Sequence, residues 1–216
     1  MSAGPVTAVT RCAVPPGEFR LRDGLRVRVR PIRPEDRDRL QVGLHRLSAA
    51  SRYQRFHAAV AELSPEQLRG LTEVDQVNHI AWIALDPAVP GEPALGVARC
   101  IRLPLEPRTA EVAVTVLDAC QGRGLGTLLL GLLSESAARQ GIRTFRAYVR
   151  ADNDAMLRIF KDLGADVGEL EEGVYRLDIP VPEDPAAVPD TPTGRVFKAV
   201  AVAHGLASAK PFTPPS

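Results

Sequence analysis

Between residues 110 and 126 the chain changes its period within a single turn, and that change constrains everything around it. Ala110-Glu-Val-Ala-Val-Thr-Val-Leu117 alternates with the two-residue spacing of a strand, whereas Leu125, Leu128, Leu129, Leu132 and Leu133 recur at helical spacing until Gly141 ends the run. The link between them is Asp118-Ala-Cys-Gln-Gly-Arg-Gly-Leu-Gly126. A strand, a Gly-rich turn and a helix start in immediate succession make an anion site. Glycines take positive φ and let the backbone approach a ligand, and the first N–H groups of the helix point at it with the positive end of the dipole. A diphosphate suits such a site. A Walker A loop would need Gly-Lys followed by Ser or Thr, and the dinucleotide fingerprint would need a glycine where Thr127 stands, so neither applies.

The flanking sequence reads as one α+β domain. Leu25-Arg-Val-Arg-Val-Arg-Pro-Ile32 alternates like a strand, and Pro34 with Glu35, Asp36 and Asp38 marks a helix start running to about Leu47. A second helix is expected over Ser48–His57, and Ser64-Pro-Glu-Gln67 caps a third. Strands follow at Ile80–Leu85, Leu95–Leu103 and Thr109–Leu117, then the leucine-rich helix, a strand at Thr144–Val149, a helix at Asp152–Leu163 and strands near Val167 and at Val174–Ile179. The order βαααβββαβαββ implies a mixed, mostly antiparallel central sheet flanked by helices. Residues 1–20 lack periodicity and 181–216 are rich in proline, so both are expected as tails around a domain at 21–180. The apolar run Val196–Ala207 predicts a short helix in the second tail, to pack on a neighbour or on a second subunit of a homodimer.

Composition narrows the partners. With 27 Lys and Arg against 26 Asp and Glu, the net charge of +1 provides no field for nucleic acid or an anionic membrane. No apolar run reaches the roughly 20 residues of a membrane span, and Met1-Ser-Ala-Gly-Pro does not begin a leader, so the expected location is the cytoplasm. Cys12, Cys100 and Cys120 form no close pair, and His45, His57 and His79 lack ligand spacing, so no metal site is expected.

Gln121, Gly124 and Gly126 fit the pattern Q/R-x-x-G-x-G/A. Together with Ala151-Asp-Asn153 and Leu163-Gly164 downstream, they make the chain resemble the GNAT superfamily of acetyl-CoA-dependent N-acetyltransferases over about Leu25–Ile179. Val29–Asp36, Leu47–Phe56, Gly96–Arg99 and Ala110–Val116 are similar to the acetyltransferase domain of bacterial Pat-type protein-lysine acetyltransferases. The resemblance implies that the strand before the loop splays from its neighbour. It also implies that Val114, Thr115 and Val116 pair with the pantetheine arm of acetyl-CoA, that Gln121, Gly122, Arg123, Gly124, Leu125, Gly126 and Thr127 hold its diphosphate, and that Asn153 touches the pantetheine. Arg52–Phe56 would border an acceptor groove.

An amine acceptor arrives as an ammonium and must lose a proton, so a base is needed. Glu111 shares a strand face with Ala113 and Thr115, and partial burial among apolar neighbours would make it a better base. The resemblance agrees, because Pat-type enzymes place a catalytic glutamate in the matching Ala-Glu segment. The structural alternative is that Glu111 pairs with Arg99 or Arg102. Many superfamily members carry a tyrosine as general acid where this chain has Phe160, which leaves Tyr53, Tyr148 or water for that task. It also leaves open an acyl-CoA-binding module without catalysis, and an enzyme acting on small-molecule amines.

Overall fold

A computed structural model describes residues 17–56 and 60–203. The chain runs β1 (Gly17–Arg20), β2 (Arg26–Pro31), α1 (Arg37–Arg46), α2 (Ala49–Phe56), α3 (Pro65–Thr72), β3 (His79–Leu85), β4 (Ala94–Leu103), β5 (Glu106–Val116), α4 (Leu125–Arg139), β6 (Thr144–Arg150), α5 (Asp154–Asp162), β7 (Asp166–Glu171), β8 (Val174–Pro180) and α6 (Pro192–Ala203). From β2 to β8 this is the order expected from sequence. The strands form one sheet ordered β1-β2-β3-β4-β5-β6-β8-β7, antiparallel throughout except where β5 meets β6.

Two elements lie beyond the expected boundaries. Residues 17–20, assigned to the first tail, pair with β2 as a hairpin closed by Leu21 and Gly24. Four residues, half-buried at Gly17 and Phe19 and exposed at Glu18 and Arg20, carry too short a pattern to be read alone, and the partner strand supplies the order. The second correction is larger. Val181 and Val188 are buried, and α6 lays Phe197, Val200 and Ala201 toward α4 of the same chain rather than on a neighbour. Thr191 and Thr193 donate to the backbone oxygen and carboxylate of Asp162 at 2.9 and 2.8 Å, tying the start of α6 to the end of α5. A Cβ on Gly194 would stand 1.9 Å from the carbonyl oxygen of Pro189, so only glycine admits this approach. Residues 204–207 of the expected helix lie outside the described residues.

The cores explain the layering. Trp82 of β3 is fully buried and donates to Ser136 of α4, joining Ile80 and the leucines of α4 in the larger core. Alternate β3 residues Ala81, Ile83 and Leu85 face a smaller core with Ile32 and Ala94. Among the described residues, no helix is long and apolar enough to cross a membrane.

One buried charge fastens β2 to α1. Asp36 is fully buried, accepts from Arg30 at 2.7 and 2.6 Å and from the backbone N–H of Arg33, and lies 3.1 Å from Arg39. Burial would push its pKa up. The hydrogen bonds from Arg30 and Arg33 and the charges of Arg30 and Arg39 outweigh that and hold it below the usual aspartate value. A group with a depressed folded pKa stabilises fully above its unfolded pKa of about 4, and that stability disappears as pH falls through the folded value. Asp36→Ala should therefore cost about 3 kcal/mol at pH 7. In urea unfolding series, the gap to the parent protein should narrow below about pH 4.

Candidate active site

β5 and β6 pair in parallel only at Thr109–Thr144, Ala110–Phe145 and Glu111–Arg146. Beyond that point β5 continues to Val116 and β6 to Arg150 without pairing to each other, so the strands diverge into a V. The opening is a groove of about 770 Å³. Glu111, Val114, Thr115, Val116, Gln121, Gly122, Gly124, Gly126, Thr127 and Asn153, ten of the residues singled out from sequence, line it together.

The loop at one end of the groove has the geometry its sequence implies. Gly122 and Gly124 have φ of +71° and +89°. Gly124 is the N-cap of α4, with no side chain capping the helix and no acid in its first turn. The leading N–H groups of α4 therefore face the groove with the dipole uncompensated. Two expected residues stand apart. Leu125 is buried in the larger core, and Arg123 forms a 2.9 Å ion pair with Asp23 on the β1–β2 turn. Gln121 donates to the carbonyl of Val116 at 3.2 Å and to Ser51 at 3.3 Å, so its amide braces the loop. Asn153 caps α5, accepting from Met156 N–H.

At the apex stands Glu111, the last β5 residue paired with β6. Its expected partial burial is not what the structure has: the side chain is exposed. Strand edges parting beside it leave one side open. The structural alternative finds no support, since among the described residues Glu111 makes no ion pair. Arg102 donates to Asn78 and to backbone carbonyls, and Arg99 donates to Leu71 and meets His79. Arg146, across the parallel register, is held by Asp178 and Glu106 at 2.8 and 2.6 Å, and their hydrogen bonds push its pKa up. That guanidinium is satisfied without Glu111. Ala113 and Thr115, on the face shared with Glu111, line a second cavity of about 80 Å³ beneath α1, walled by Leu44, Leu47 and Leu71. Phe160 is buried at the groove wall, and half-exposed Tyr148 of β6 lines the same groove.

α2 is latched to the loop. Ser48 caps α2 by accepting from Ser51 N–H, and Asp118 accepts from Ser48 N–H, Ser48 Oγ and Ser51 Oγ at 2.9, 2.8 and 2.7 Å. Burial raises the Asp118 pKa, and these donors more than reverse it, leaving it below the usual value. Arg150, at the end of β6, stands 5.3 Å over the ring of Tyr53, so α2 also reaches the far wall. Ser51 and Gln54 line the groove, which bears on the expected role of Arg52–Phe56. The side chains of Arg55 and Phe56, and all of His57, lie outside the described residues.

Several lining residues were not singled out from sequence: Arg22, Arg158, Pro192, Thr193 and Val196. Arg22 and Arg158 carry no local signature. The residues of α6 come into view only through the docking of that helix.

Comparison with known proteins agrees with this geometry. A family described as "Acetyltransferase (GNAT) domain" matches residues 26–166. The chain is 35% identical over 169 residues to "Acetyltransferase Pat" of Mycolicibacterium smegmatis, covering 78% of this chain and spanning 50% of that protein's length. It is 35% identical over 161 residues to "Acetyltransferase PA5475" of Pseudomonas aeruginosa, covering 73% of this chain and 86% of that one. The crystal structure of the GNAT domain of S. lividans PAT superposes with a TM-score of 0.69 at 33% identity, over 76% of this chain and 96% of that one.

Gly124→Ala would force a side chain into the left-handed region at the start of α4. It should cost about 1 kcal/mol in stability and weaken coenzyme A binding, both measurable by thermal unfolding and calorimetric titration.

Proposed function

The chain belongs to the GNAT acetyltransferase family, and on that premise we propose that it transfers the acetyl group of acetyl-CoA to an amine, with a protein lysine as acceptor and the cytoplasm as its place of action. The observation that carries this reading is the divergence of β5 and β6 between an anion loop and an unpaired carboxylate. From Val116 to Glu111 the strand rises roughly 16 Å, a span that an extended pantetheine arm can cover. With the diphosphate on the N–H groups of 122–127 and the arm along Val114–Val116, the thioester comes to the apex beside Glu111. The exposed backbone edge of β5 suits a ligand that carries amides of its own.

In this mechanism Glu111, directly or through a water, takes a proton from the acceptor ammonium. The free amine attacks the thioester carbonyl, the new C–N bond forms as the C–S bond breaks, the nitrogen gives up its second proton to water, and the coenzyme A thiolate leaves. Tyr148 returns a proton to that thiolate, taking the part that Phe160 cannot play. An exposed Glu111 at the open margin is within reach of a long side chain presented by another folded protein, which favours lysine over a fully enclosed small amine.

Phe160 at the position of the usual tyrosine supports a second reading, a module that binds acyl-CoA without transfer. Thiol release from acetyl-CoA with protein and small-molecule amines separates the two. Glu111→Gln should lower kcat about 100-fold with little change in acetyl-CoA affinity, and Tyr148→Phe about tenfold. Unchanged turnover in Glu111→Gln would remove that residue from the chemistry. Tight binding with no thiol released for any amine would favour the second reading.

A further inference from the structure

Ala113 and Thr115 are half-buried and line both the donor groove and the cavity of about 80 Å³ beneath α1, so one stretch of β5 is the wall common to the two. We propose that this cavity receives the acyl group of the donor, and that the site therefore takes short acyl chains such as butyryl and isovaleryl better than acetyl. The inference rests on the reading that the groove holds an acyl-CoA with its thioester beside Glu111.

The lining selects this occupant. Leu44, Leu47 and Leu63 are buried around the cavity, and half-buried Leu40 and Leu71 complete an apolar wall. Two small residues, Gly43 on α1 and Ala113 on β5, leave the space open, and a Cβ on Gly43 would meet only that of Ala94, at 4.0 Å. Leucines around a void forfeit contacts on one side, and water in so apolar a recess finds few partners, so a hydrocarbon gains by entering. The two charged side chains in the wall, Arg39 and Arg99, are both cations, and they donate to the carbonyls of Glu92 and Leu71 at 3.0 and 3.2 Å. Their charge opposes the ammonium of an amine acceptor and leaves a neutral chain as the fitting guest. Size sets the limit. About 80 Å³ exceeds two water molecules at roughly 30 Å³ each, which admits the added carbons of butyryl or isovaleryl and excludes octanoyl.

Strand geometry brings the acyl group to this space. Glu111, Ala113 and Thr115 share one face of β5, and Ala113 follows Glu111 by roughly 7 Å along the strand. A thioester beside the carboxylate thus has the cavity on one side and the open margin of the parted strands on the other. The acyl group turns inward while the amine arrives from outside, so the two do not compete for one place.

The test is calorimetric titration of coenzyme A and its acetyl, butyryl, isovaleryl and octanoyl thioesters into the wild type and the Gly43→Leu and Ala113→Val variants, each checked for an intact fold by thermal unfolding. The wild type should bind butyryl-CoA about tenfold tighter than acetyl-CoA, with a similar gain for isovaleryl-CoA and no further gain for octanoyl-CoA. Gly43→Leu fills the cavity from α1 and should bring butyryl and isovaleryl down to the level of acetyl, while coenzyme A and acetyl-CoA bind as they do to the wild type. Ala113→Val narrows the cavity from β5 and should reduce the same butyryl-to-acetyl ratio, and it carries the test if Gly43→Leu fails to fold. A wild type that binds coenzyme A without preferring the longer thioesters, or a preference that survives in the folded variants, overturns the proposal and leaves the donor reading standing. A wild type that binds none of these ligands overturns the donor reading itself, and the role of this cavity with it.

Discussion

The parting of β5 from β6 is the constraint on which the site depends. Backbone N–H and C=O groups within a sheet are normally paired, and a strand edge without a neighbour invites another extended chain to complete it. Here the pairing stops at Glu111 and Arg146, in the interior of the sheet rather than at its margin. The chain therefore carries an internal edge, shielded on one side by α4 and open on the other. A ligand that is extended, narrow and furnished with amides meets the demand of that edge, and the anion loop selects one that ends in a diphosphate.

Such an opening has to be held, because two strands that part would gain by closing. The register on either side is pinned by charges. Arg146 is tied to Asp178 of β8 and to Glu106, anchoring β6 at the apex, while Asp36 binds β2 to α1 on the outer side of the sheet. At the wide end Asp118 collects three donors from α2, and Gln121 bridges α2 to the last carbonyl of β5. Groups that hold the frame are paired with one another, whereas Glu111, Arg22 and Arg158, which face the groove, make no ion pairs among the described residues.

The sequence made some of this legible and hid the rest for physical reasons. Elements whose burial is periodic, such as β5 and α4, could be read from their own residues, and the turn between them announced an anion site through its glycines. Val114–Val116 and Asn153, which the family resemblance singled out, line one groove. The hairpin strand β1 is too short to carry a period, and α6 is specified by its fit to α4 and to Asp162 across a long sequence separation. The exposure of Glu111 was missed because alternation tells which face a residue takes but not whether that face is covered. It is covered by α1 and α3 over Ala113 and Thr115 and left open where the strands part.

The central claim is that the donor's arm completes the internal edge of β5. Amide hydrogen exchange, measured residue by residue with and without saturating acetyl-CoA, addresses it most directly. Slowed exchange confined to β5 residues 112–116 and to the loop at 122–127 is the expected result. Unchanged exchange along β5, with protection appearing elsewhere on the molecule, would contradict the account.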